Sequence, residues 1–191
     1  MGRVGLREEQ DKEGGILLKK ERPITGDWIY TGNERGGRNG ERTLIFNAYY
    51  LGQCGSGFSR KVTRKIEMKE TQTLNDLHEA IIYKSFGWDD PHMYSFFLDN
   101  MPYSKNRRME YCCSTEPDPL SGERPNSTLT KLKRLNLRKG QRFLFIFDFG
   151  DDHMFSIKVE GFGETREGKR YPLILEKKGR APPQYPNYED S

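Results

Sequence analysis

Residues 142–149, RFLFIFDF, constrain this chain more than any other stretch. A strand with one face in water alternates apolar and polar side chains. A run that is apolar on both faces belongs inside a sheet with cover on each side. Gly150-Asp151-Asp152-His153 then supplies turn chemistry. Residues 154–162, MFSIKVEGF, alternate cleanly: Phe155, Ile157 and Val159 share one face, and Ser156, Lys158 and Glu160 the other. The two runs read as a hairpin whose first strand is central. A second hairpin is written in residues 43–51 (TLIFNAYYL) and 60–69 (RKVTRKIEMK), joined by the glycine turn 52–57. Val62, Ile66 and Met68 form the inner face of its second strand.

Between the hairpins lies one strong helix. Thr73 caps it, with Asp76 three residues on as a short-armed capping box. Leu74, Leu77, His78, Ile81 and Ile82 fall on one face at helical spacing, and Gly87 is the expected stop. Trp88-Asp89-Asp90-Pro91 turns the chain into a further strand over 92–99. Residues 100–127 read as a long irregular excursion. Residues 128–137 read as a short helix with Leu129 and Leu132 inward. One short apolar run, 171–175, interrupts a charged, proline-rich tail.

This order predicts an α+β fold: a mixed β-sheet of two hairpins plus further strands, with one main helix packed across it. Hairpin, helix and strands in that order resemble a β-grasp. Residues 1–41 read as a polar N-terminal extension with short strands at 16–18 and 27–30. Residues 42–191 read as a single α+β domain.

The net charge of +4 is distributed as basic, acidic, basic. Residues 1–70 hold 14 Lys/Arg against 10 Asp/Glu, residues 71–130 hold 5 against 9, and residues 131–191 hold 13 against 9. That distribution permits a basic face for a polyanion but does not require one. Cys54, Cys112 and Cys113 include no CxxC, and no Cys/His spacing fits a structural zinc site. No signal peptide opens the chain and no apolar run approaches a membrane span, which predicts a cytoplasmic protein with free thiols and no membrane partner.

Two Asp/His knots end the regular segments. One is Asp89, Asp90 and His92; the other is Asp148, Asp151, Asp152 and His153. Carboxylates and imidazoles at this density could hold a divalent metal and run a hydrolysis, if the knots converge. The alternative is turn chemistry, in which each Asp serves its own backbone. His78, on the apolar helix face, reads as a hydrogen-bonded core histidine. Asp148 breaks one apolar strand and Arg64 interrupts another inner face. Each needs a partner, and the two together make a candidate structural ion pair. Lys61, Lys65, Lys131, Lys133 and Arg134 are the candidate nucleic-acid contacts. The Asp-Phe-Gly at 148–150 has no phosphate loop or catalytic loop around it, so a kinase is excluded. The aromatic strands offer a further surface for a protein partner or a second copy of the chain.

TLNDLHEAI followed by FGWDDPHMYSFFLD resembles one hallmark of the Ri-plasmid open-reading-frame-three-like proteins. KGQRFLFIFDFGDDHMFSIKVEGF resembles the other, and RKVTRKIEM resembles the same family's segment around Arg64. The resemblance runs over roughly residues 42–190. Where the family often carries Cys-Pro-Pro near its end, this chain has Ala181-Pro182-Pro183, so no terminal thiol chemistry is carried over. The resemblance implies an α+β fold without an assigned activity, in a family that includes plasmid-borne and transposon passenger proteins. Mobile-element company makes nucleic acid the first partner class to consider. The reading is a binding module, with a metal-dependent hydrolase and a protein-interaction module or homodimer as alternatives.

Overall fold

The computed structural model describes residues 6–10, 16–20, 40–53, 61–89, 91–119 and 121–185. The chain divides into two units, Met1–Arg38 and Asn39–Ser191. In the first, β1 (Leu6–Gln10) pairs antiparallel with β2 (Ile16–Lys20), Leu6 lying opposite Lys20. The strand expected at 16–18 falls inside β2, and the one at 27–30 lies outside the described residues.

Among its described residues, the second unit has one eight-stranded sheet and one α-helix. Its strands are β3 (Arg42–Gly52), β4 (Thr63–Lys69), β5 (Tyr94–Phe97), β6 (Glu110–Cys112), β7 (Asn126–Ser127), β8 (Arg142–Phe147), β9 (His153–Glu164) and β10 (Leu173–Lys178). Their order across the sheet is β10-β4-β3-β9-β8-β5-β6-β7. Every neighbouring pair is antiparallel except β6 and β7. Both expected hairpins form, as β3–β4 and β8–β9. They meet through an antiparallel β3–β9 pair. A β-grasp has a parallel pair there, so the likeness stops at the order of elements.

The helix α1 (Leu74–Ile81) begins as the sequence dictates. Thr73 accepts from the backbone N–H of Asp76 at 3.1 Å, and Asp76 Oδ2 accepts from the Thr73 N–H at 2.7 Å. The two side chains thereby satisfy amides that a helix start leaves without partners. A single π-helical turn, Ile82–Phe86, extends the helix, and Gly87 ends it in the left-handed region at φ 74°. We expect Thr73→Ala to cost about 1 kcal/mol of stability. Urea unfolding of the two proteins measures it, and an unchanged midpoint would contradict the cap.

Leu74, Leu77, Ala80 and Ile81 point into a core shared with Phe46, Ile66, Phe96, Phe143, Phe145, Phe155 and Ile157, all of them fully buried. The sheet's other face carries a smaller core of Phe97, Leu144, Ile146 and Met154. β8 is therefore covered on both faces, which explains its apolar run. Among the described residues, most of the phenylalanine side chains of the sheet lie inside these cores. The stretch 128–137 holds only a 3-10 turn, Leu132–Arg134. Leu132 is buried as expected, whereas Leu129 is 69% exposed. Thr73 forms a β-bridge with Lys131, and the amides of Leu132 and Lys133 bond to the carbonyls of Gln72 and Glu70. The segment follows the backbone before α1 instead of coiling on its own.

Candidate functional site

Register brings the two Asp/His knots to one end of the sheet. Tyr94 of β5 pairs with Phe147 of β8, and Phe147 pairs with His153 of β9. The turn leading into β5 and the turn joining β8 to β9 are therefore neighbours. His92 Nδ1 lies 3.5 Å from Asp148 Oδ2. His92 Nε2 shares a 2.6 Å hydrogen bond with the hydroxyl of Tyr185, a tail residue 93 positions away. Phenol, imidazole and carboxylate thus stand in a row, with the carboxylate buried and Tyr185 exposed.

His153 lies beneath this row and is 1% exposed. Its Nδ1 shares a 3.0 Å hydrogen bond with the Tyr50 hydroxyl, and its ring lies 4.5 Å from that of Trp88. Its Nε2 is buried without a hydrogen-bond partner. Burial pushes its pKa down, and the neighbouring Asp151 and Asp148 oppose the shift. Burial also raises the pKa of Tyr50 to about 12, with Asp151 adding to it. Tyr50 therefore stays a neutral phenol across the physiological range.

Several of the carboxylates in the two knots already have partners. Asp148 Oδ1 accepts from the Gly150 N–H at 3.0 Å, which makes Asp148 the cap of its own turn. Asp152 turns away to the hydroxyl of Tyr103. Asp89 lines a cleft with Arg180. Asp90 lies outside the described residues. Among the described residues, no three His, Cys, Asp or Glu side chains are arranged to hold a metal ion.

The Arg64–Asp148 pair does not form either. Arg64 is 2% exposed and does sit on the inner face of β4. Its guanidinium instead donates to carbonyl oxygens: Ser85 at 3.2 Å, Thr63 at 2.8 Å, Lys178 at 2.9 Å and Gly179 at 3.2 Å. It also lies 4.7 Å over the Phe86 ring. A planar fork of donors suits that task, and a carboxylate is not required. Arg64 ties the end of the helix to the end of β10. Burial lowers its pKa from the usual value.

That tie builds a cleft of about 750 Å³ between residues 86–89 and Arg180, Ala181, Pro182, Pro183 and Gln184. Trp88 Nε1 donates to the Pro182 carbonyl at 2.9 Å and anchors the wall. The rim is basic. Lys177 Nζ donates to the Lys84 carbonyl at 2.8 Å. Gly179, at φ 74°, packs so closely on Lys61 and Val62, just before β4, that a Cβ there would stand 2.5 Å from the Lys61 carbonyl oxygen. Lys61, Lys84, Lys177, Lys178 and Arg180 are all exposed.

Of the basic residues read from the sequence, Lys61 belongs to this strip. Lys65 sits nearby, opposite Glu176 of β10. Lys131, Lys133 and Arg134 lie beyond the far end of β4, beside Gln72 and Glu70. β4 is seven residues long, so about 20 Å separates the two groups. Lys84, Lys177, Lys178 and Arg180 escaped the sequence reading because they come from the helix end and an edge strand. The tail's role escaped it because proline-rich composition suggests a loose end; Trp88 and Tyr185 were the residues able to hold it.

The family model of the plasmid pRiA4b ORF-3-like proteins matches residues 56–185. This chain belongs to that family. The pRiA4b ORF-3-like match takes in α1, the Asp/His end of the sheet and the tail through Tyr185. The uncharacterized protein y4hQ of Sinorhizobium fredii (strain NBRC 101917 / NGR234) is 26% identical over 125 residues. Those residues are 64% of this chain and 58% of that protein, so the chain spans little more than half the length of this relative. A crystal structure of a protein of unknown function, MM3350 from Methanosarcina mazei Go1, has a TM-score of 0.57 and 26% identity. The match covers 75% of this chain and 73% of that one. The α+β architecture thus recurs in a solved structure. No helix among the described residues is long and apolar enough to cross a membrane.

Proposed function

We propose that this pRiA4b ORF-3-like protein is a binding module for nucleic acid, and that it contacts the phosphate backbone with the basic strip beside the tail cleft. The observation that supports this reading is the gathering of Lys61, Lys84, Lys177, Lys178 and Arg180 from three separate parts of the chain at one edge. Asp89 is the acid in the cleft lining. Phe86 and Trp88 are 8% and 4% exposed, so they shape the cleft wall and leave little ring area for stacking on bases. Backbone contact without base readout gives affinity that depends on salt and little on sequence.

Fluorescence anisotropy with labelled single-stranded and duplex DNA and with RNA, over a range of salt, tests this. Five phosphate contacts correspond to a slope of about −4.5 in log K against log salt on duplex DNA. Replacing Lys177 and Lys178 together by Ala should reduce that slope by about 2. Replacing Lys131, Lys133 and Arg134 should leave it unchanged. Absence of binding at low salt, or a slope that ignores Lys177 and Lys178, would overturn the proposal.

A further inference from the structure

The sheet's other end-strand region holds a group of sulfur atoms that plays no part in the basic strip. β5 and β6 run antiparallel with Ser95 opposite Cys112. Extending that register by one residue sets Tyr94 against Cys113, and the Cys113 N–H bonds to the Tyr94 carbonyl at 3.1 Å. Met93 arrives beside them. Its thioether sulfur lies 3.5 Å from Cys113 Sγ. Cys112 is the adjacent residue in the chain, and each of the two thiols is the main influence on the other's ionisation. The backbone N–H of Tyr94 donates to Cys113 Sγ at 3.3 Å. The sulfur atoms of Met93, just before β5, and Cys113, just after β6, therefore meet, with the Cys112 thiol of the neighbouring residue next to them.

We propose that Met93, Cys112 and Cys113 form a binding site for a soft monovalent cation of the copper(I) or silver(I) type. The donor set determines the class. Thiolate and thioether ligands favour soft ions, and hard cations such as magnesium or calcium require oxygen. A structural zinc ion takes four nitrogen or sulfur ligands, and among the described residues no group of three His, Cys, Asp or Glu is placed to supply such a set. Two thiolates and one thioether suit a three-coordinate d10 ion. On binding, Cys112 and Cys113 each release a proton to solvent, the metal forms bonds to both thiolates and to the neutral Met93 sulfur, and no electron is transferred. The Tyr94 N–H lies where it can support the Cys113 thiolate from outside the ligand set. Entry is open: Cys113 is exposed and Met93 is 45% exposed, while Cys112 is buried and forms the floor.

Cys54 is the remaining thiol, so the test uses the full chain carrying Cys54→Ser. The purified, reduced protein is titrated without oxygen against a copper(I) complex of a coloured chelator, and the chelator's absorbance reports transfer of the ion. The site should take up one ion per chain. Met93→Leu should weaken binding by about tenfold or more, within the range seen when groups supporting a metal site are removed. Cys113→Ser should abolish competition with the chelator, and Met101→Leu, at a methionine 60% exposed elsewhere, should change nothing. Met93 and Cys113 are both exposed, so these variants retain the fold. The proposal is overturned by failure to saturate at one ion, by equal affinity in Met93→Leu, or by a mass two hydrogens low showing a Cys112–Cys113 disulfide that persists in reductant.

Discussion

Acidification from neutral pH to about pH 4 is expected to remove about 3 kcal/mol of folding stability through His78 alone. His78 is 3% exposed. Its ring is stacked on Tyr94 at 3.8 Å with the planes 2° apart, and Tyr83, Phe145 and Phe147 close around it. Its Nδ1 is buried without a partner, in contrast to the hydrogen-bonded histidine expected from the sequence. An imidazolium in that aromatic box would lack solvation, so burial pushes the pKa from 6.5 to about 4. The direction follows from proton uptake. Below about pH 6.5 the unfolded chain binds a proton at His78, while the folded chain does not until about pH 4. The unfolded state therefore gains with every step down in that window, at about 1.4 kcal/mol per pH unit. His153 is shifted the same way by burial and adds to the loss. Urea unfolding at a series of pH values reads the slope directly. His78→Gln should remove most of it. A wild-type profile that is flat between those two pH values would refute the assignment.

Arg64→Met should cost about 3 kcal/mol or more, because it keeps the bulk and removes the donors. The carbonyls of Thr63, Ser85, Lys178 and Gly179 would lose their partner together, and Phe86 would lose the cation above it. The damage should be directional. The tail after β10 is held by Arg64, Trp88 and His92, so trypsin should cut after Lys177, Lys178 and Arg180 sooner in the variant than in the parent. Arg64→Lys should recover only a fraction of the loss, since one ammonium cannot reach carbonyls on both sides of the planar fork. A variant within about 0.5 kcal/mol of the parent would show that water replaces the guanidinium.

The hairpins, the helix with its Thr73–Asp76 cap and the doubly covered β8 were legible because each rests on a local rule: alternation, helical spacing, or a run apolar on both faces. Arg64 and Asp148 were legible as anomalies, but their partners were not. Arg64 is satisfied by backbone carbonyls and Asp148 by a backbone amide together with His92, and backbone groups leave no mark in a sequence. The excess of structure read into residues 128–137 has a similar cause. Leucines at helical spacing suggested a helix, whereas the amides there bond to residues 70 and 72. The row from Tyr185 through His92 to Asp148 spans the tail, a turn and a strand end, so no local pattern announced it. The basic strip was missed for the same reason.

The β3–β9 pairing has a consequence for synthesis. Thr43 of β3 faces Gly163 of β9, so the seam down the middle of the sheet joins segments that leave the ribosome far apart in time. Until β9 has emerged, β3 holds only its hairpin partner β4, and its other edge offers a row of open amides and carbonyls. Helix α1 will have been made by then and has no finished sheet to cover. High contact order of this kind slows folding and prolongs the exposure of strand edges. Ribosome-bound chains stopped short of β9 should recruit chaperones or aggregate, and compaction should come as a late, single event once the seam can close.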